Sequence, residues 1–137
     1  PHLSQKWVRA ILDEFYGLEG IHGYGFGQDE DQGQLGAWYV MSALGLFDVK
    51  GLTEINPQFQ VGTPLFDKVT IRLNKDYYPG KEFIIETKKS AADNCYVQSV
   101  QLNGKSQNSI QIPFESVVKG GKLTLQLDST PNKDITD

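Results

Sequence analysis

The chain has 137 residues, 39% of them hydrophobic and 22% charged, which is ordinary globular content for one domain or two small ones. A net charge of -4 leaves no basic footprint, so nucleic acid and anionic membrane surfaces are poor candidate partners. No apolar run approaches the roughly 20 residues that span a bilayer, and no signal pattern opens the chain. The first residue is Pro1 rather than Met, which predicts a processed chain or a segment of something longer.

From Ser4 to Tyr16 the residues Trp7, Val8, Ile11, Leu12 and Phe15 fall on one stripe, which predicts an amphipathic helix with Ser4 as its N-cap. Gly17, Gly20, Gly23, Gly25 and Gly27 then predict a loop. A second helix is predicted from Gln32 to Leu44, ended by Gly45. Its apolar residues, Leu35, Trp38, Tyr39, Val40, Met41 and Leu44, spread around most of the circumference, so it expects neighbours on several sides.

Near Lys50 the period changes to two. Val69-Ile71-Leu73, Phe83-Ile85, Val100-Leu102, Ile110-Ile112 and Leu123-Leu125-Leu127 alternate with polar residues. Tyr78-Pro79-Gly80, Asn103-Gly104 and Gly120-Gly121 supply turn chemistry between them. The expectation is an α+β chain: helices in residues 1–50, then at least five antiparallel strands between Lys68 and Asp128, forming a small sheet or sandwich in residues 51–137. With no helical pattern between the strands, a parallel α/β sheet is not expected.

The chemistry concentrates at Asp29-Glu30-Asp31, three carboxylates placed where the loop runs into the second helix. Like charges repel and lose hydration near a packed wall, so such a run gains little stability. As a bland reading it is a solvated charge run favoured by the helix dipole. In an extended loop Asp29 and Asp31 project to one side and Glu30 to the other, so the two aspartates can flank one water. An inverting glycosidase uses such a carboxylate as general base, with an acid about 6.5 to 9.5 Å across the substrate. An EF-hand does not fit, because counting from Asp29 its sixth position is Gln34 and its twelfth Val40, whereas a cation site of another kind stays open, since carboxylates on a glycine-rich loop can converge on a metal in many ways. His2, His22 and Cys95 lie too far apart in the chain to suggest zinc, and Cys95 reads as a small buried hydrophobe. Trp7, Trp38 and Tyr39 have the spacing of core residues more than of sugar platforms.

The run from Gly27 to Phe47, Gly-Gln-Asp-Glu-Asp-Gln-Gly-Gln-Leu-Gly-Ala-Trp-Tyr-Val-Met-Ser-Ala-Leu-Gly-Leu-Phe, resembles the C-terminal part of glycoside hydrolase family 92, the calcium-dependent α-mannosidases. The resemblance extends over Gln5 to Arg9, Gly62 to Ile71 and Tyr96 to Lys105. It implies that the two helices are the last pair of an (α/α)6 barrel and that the parent enzyme cleaves α-mannosidic bonds of mannose-rich glycans with inversion and a calcium ion. It also implies that Asp31 and Asp29 flank the attacking water and supply the base, and that the setting is periplasmic or secreted. The family's glutamate acid lies upstream of this chain; neither Glu14 nor Glu19 matches its context. The chain alone is therefore expected to be inactive. Gln28 and Gly36 depart from the glycine and serine usual at their positions. The rival reading is a non-catalytic carbohydrate-binding or structural β module, for which Tyr77, Tyr78 and Tyr96 are the candidate surface aromatics.

Overall fold

The computed structural model describes residues 1–17 and 32–137. Helix α1 spans His2–Glu14 and α2 spans Gln34–Leu44. Strands follow at Leu46–Phe47 (β1), Gln58–Val61 (β2), Lys68–Arg72 (β3), Glu82–Lys88 (β4), Tyr96–Leu102 (β5), Lys105–Gln107 (β6), Gln111–Pro113 (β7) and Gly121–Asp128 (β8). A third helix, α3, occupies Phe114–Val118. The α+β expectation holds.

Helix α1 begins and ends, and α2 begins, differently from the sequence expectation, whereas α2 ends at Leu44 and is closed by Gly45 as expected. Pro1, not Ser4, stands at the start of α1, where it makes no side-chain cap; Ser4 lies inside the helix. The helix stops at Glu14, so Tyr16 stands outside it. Helix α2 starts at Gln34 behind Gly33 and stops at Gly45, whose φ of 78° is the left-handed conformation that ends helices. A side chain at Gly45 would strike Pro64, since a Cβ there lies 2.6 Å from the ring Cγ.

The strands form two sheets, β1-β2-β7 and β3-β4-β8-β5-β6. One apolar cluster serves both: Leu46, Phe59, Val61 and Ile112 from the smaller sheet join Phe83, Ile85, Val97, Val100, Leu123, Leu125 and Leu127 from the larger. In β4 and β8 the buried positions alternate, as period two requires. In β5 they do not, because buried Val97 and Val100 are three residues apart. A register shift between Val97 and Ser99 supplies the extra residue that returns both to the same face. The β5–β6 hairpin turns at Asn103 and Gly104, with φ of 51° and 79°. Two successive positive φ angles match the twist of the strands they join.

One strand pairing overturns the wholly antiparallel expectation: β4 and β8 run parallel, with Phe83 opposite Gly121 and Lys88 opposite Gln126. The chain returns from β4 to β8 through β5, β6, β7 and α3. Alternation is the same for either direction, so side-chain pattern carries no sign of it. Helix α3 has five residues, too few to display a helical period.

Among the described residues, hydrogen bonds tie the helices to strand β5 and to residues 62–65. The Gln5 side-chain oxygen accepts a hydrogen bond from Val97 N at 3.1 Å. Arg9 Nη2 donates to the Thr63 and Pro64 carbonyls, each at 3.1 Å. Leu65 N donates to Ala43 O at 3.0 Å and Gly62 N to Gly45 O at 2.9 Å, holding the end of α2 against residues 62–65.

Candidate functional site

Asp29, Glu30 and Asp31 lie outside the described residues, as does His22. The described chain on either side of them is closely tied. Tyr16, two residues past the end of α1, donates its hydroxyl to the Leu35 carbonyl in the first turn of α2 at 3.1 Å. Its ring stacks on Trp38, with centroids 5.5 Å apart and planes at 18°, and meets Tyr39 at 5.0 Å and 37°. Offset stacking of this kind contributes about 0.5–1.5 kcal/mol per pair beyond burial. The two ends of residues 18–31 are thus joined by an aromatic contact and a hydrogen bond.

Beside this contact is a cleft of about 280 Å³ bordered by Pro1, Val8, Trp38, Gly45 and Val61. Buried Thr63 lines it too, and among the described residues its hydroxyl has no hydrogen-bond partner. Trp38 therefore serves the Tyr16 stack and the cleft wall at once. Trp7 departs from its core expectation: it is 60% exposed, with Lys6 Nζ 5.3 Å from its ring centroid. Leu3, Phe15 and Val40 are also exposed among the described residues, so the apolar surfaces of both helices are only partly covered.

The remaining candidates resolve simply. Cys95 is half-buried; burial pushes its thiol above the ordinary value, Arg9 opposes that shift, and Asp13 and Asp93 add to it. A thiol kept protonated in this way is a packing group rather than a nucleophile. Tyr77 and Tyr78 precede β4 at the end where Phe83 meets Gly121, whereas Tyr96 pairs with Asp128 at the opposite end of the sheet. The aromatic row required by a carbohydrate-binding face is not formed by these three. Among the described residues no three of His, Cys, Asp and Glu come together, so these side chains alone do not form a calcium cage.

Sequence reasoning passed over Tyr16, Gln5, Arg9 and Thr63. Tyr16 was legible only as the last apolar residue of a helix; its position against the glycine-rich segment was the one signal that set it apart.

The profile of the glycosyl hydrolase family 92 catalytic domain matches residues 1–129. The chain belongs to that family. Its structure is similar to that of the family's inverting mannosidase BT2199 from Bacteroides thetaiotaomicron VPI-5482, with a TM-score of 0.76 and 36% identity over 96% of this chain and 17% of that one. The α-mannosidase BT3965 from Bacteroides thetaiotaomicron is similar at a TM-score of 0.81 and 27% identity, over 96% of this chain and 16% of that one. The same enzyme in complex with mannoimidazole gives 0.78 and 27% over 93% of this chain and 16% of that one. The chain thus spans about a sixth of the length of these enzymes. Among curated proteins none matches it.

Proposed function

We propose that the enzyme carrying this chain hydrolyses α-mannosidic bonds with inversion at the anomeric carbon, and that this chain supplies the base. The observation that supports the reading is its 36% identity, across 96% of its length, to an inverting mannosidase. In the proposed step Asp31, aided by Asp29, takes a proton from a water molecule as that water attacks the anomeric carbon. The leaving oxygen takes its proton from an acid elsewhere in the enzyme. Inversion requires these two groups on opposite faces of the sugar, which is why one chain segment can hold the base and another the acid.

Calcium assistance and the (α/α)6 barrel belong to this proposal as family expectations. When bound, calcium would supply positive charge that holds sugar hydroxyls. Incomplete cover on Trp7, Phe15 and Val40 supports a setting in which further helices pack on α1 and α2.

The test is the full-length enzyme on an α-mannoside, with the first-formed anomer followed by proton NMR. Asp31→Asn should lower turnover about 100-fold or more, in line with the usual contribution of general acid–base catalysis. Initial release of α-mannose, or near-normal turnover by Asp31→Asn, overturns the reading.

A further inference from the structure

Strand β4 buries alternate residues on its inner face, Phe83, Ile85 and Thr87. The first two belong to the apolar core, whereas the third carries a hydroxyl. Thr87 is 7% exposed, and among the described residues its hydroxyl has no hydrogen-bond partner. A buried hydroxyl left unpaired costs stability, so packing alone gives no reason for threonine over valine. Thr87 lines an open hollow of about 710 Å³.

The rest of the hollow is built around that side chain. Thr87 N donates to the Asp67 carbonyl at 2.8 Å, which sets residues 65–67 beside the end of β4. Leu65 is in turn tied to Ala43, so the hollow lies at the end of α2 that Gly45 closes; the acidic run precedes the other end in sequence. Lys89 keeps its side chain only 14% exposed, with Nζ 3.3 Å from Asp67 Oδ1. Phe66 is 53% exposed and lines the hollow together with Ala91.

These groups select among ligand chemistries. Asp67 accepts hydrogen bonds, Lys89 donates them and the Thr87 hydroxyl does both. An apolar ligand would leave Thr87 unpaired. An anion would face the Asp67 carboxylate and find Lys89 already engaged, with exposed Lys88 alone in its favour. A hexopyranose suits the whole set, because its hydroxyls donate and accept while the C–H face of its ring lies against an aromatic side chain. We infer that Phe66, Asp67, Thr87 and Lys89 form a non-catalytic sugar-binding site that takes a mannose residue of a glycan chain. That the sugar is mannose rests on the proposed activity; the site itself rests on the hollow and its unpaired hydroxyl.

The experiment is affinity electrophoresis of the full-length enzyme in gels with and without soluble α-mannan. The mannan should retard the wild type. Phe66→Ala should weaken the apparent affinity about tenfold, through loss of the apolar wall. Thr87→Val keeps the shape and removes the hydroxyl, and should weaken it about fivefold, as should Lys89→Met, each losing one net hydrogen bond. Wild type and variants share the catalytic site, so a difference between them belongs to the hollow. An unretarded wild type, or variants retarded as strongly as the wild type, overturns the inference. Thr87→Val should melt no lower than the wild type, since its hydroxyl has no internal partner to lose; a lower midpoint, or undiminished retardation of this variant alone, removes Thr87 from the site. Turnover of a short synthetic α-mannoside by the wild type separates the two readings. Retardation without turnover sinks the mannosidase assignment and leaves the site, and turnover without retardation does the reverse.

Discussion

Gln5 and Val97 are joined at the place where β5 departs from regular pairing. The Gln5 side chain is buried, and its oxygen takes the backbone N–H of Val97, the residue at which the register with β8 shifts. A bulge lets Val97 and Val100 face the same core, and Gln5 satisfies a donor at that irregularity. Without an acceptor, a buried amide costs about 1–3 kcal/mol.

Gln5→Leu keeps the bulk of the side chain and removes the acceptor. It should lower stability by about 1–3 kcal/mol. Hydrogen exchange at the Val97 amide should accelerate more than at Val100. Equal protection at both amides in the variant would show that Gln5 is not the partner that matters.

Arg9 should be more costly to remove than Gln5. Its Nη2 serves two carbonyls, and hydrogen bonds to a charged group contribute about 1.5–3 kcal/mol. Arg9→Leu should therefore destabilise the enzyme by about 3 kcal/mol, read as a fall in thermal midpoint, and should loosen residues 62–65 in hydrogen exchange. A midpoint unchanged within error would place the anchoring elsewhere.

Two glycines with nearly equal φ should respond unequally to alanine. Gly104, at 79°, has open space around a built Cβ, so Gly104→Ala should cost only the left-handed penalty of about 1–2 kcal/mol. Gly45, at 78°, adds a collision with Pro64 at 2.6 Å and should cost more. Thermal melts of the two variants decide it; a milder effect at Gly45 would mean that the Pro64 segment yields freely.

The parallel pair carries a pH signature. Lys122 Nζ lies 2.6 Å from Glu86 Oε2, and this hydrogen bond holds the Glu86 carboxyl below its ordinary value. A depressed carboxyl contributes stability that is present above its unfolded pKa and lost as pH falls through its folded one. Lys122→Met should therefore lower the melting midpoint near pH 6, by a small amount since the pair is exposed, and the difference should shrink as falling pH protonates the carboxyl. A difference that does not shrink with falling pH would assign the loss to packing of the lysine stem.

Much of the β region was legible because its signals are local. Leu123, Leu125 and Leu127 announce their strand by alternation, and Asn103-Gly104 announces its hairpin by the φ angles those residues tolerate. Strand direction was not legible, and of the smaller sheet only β7 was, through Ile110 and Ile112; β1 has only Leu46 and Phe47 and leaves no pattern to read. For the candidate site, the acidic run stood out by composition, whereas Tyr16 did not. It contacts Leu35 and Trp38, and a contact made across the fold has no periodicity in the sequence. Arg9 was hidden for the same reason: a charged residue on a helix reads as solvated until its carbonyl partners are known.

Helix α2 passes into β1 through Gly45 alone, and Leu46 at once pairs with Val61. A helix advances 100° per residue and a strand 180°, so this junction locks two different angular clocks together with no slack between them. Adding one residue there would be read twice. It would turn Trp38 and the rest of α2 away from Tyr16, or else carry Leu46 out of the core; length at this point is as tightly specified as sequence.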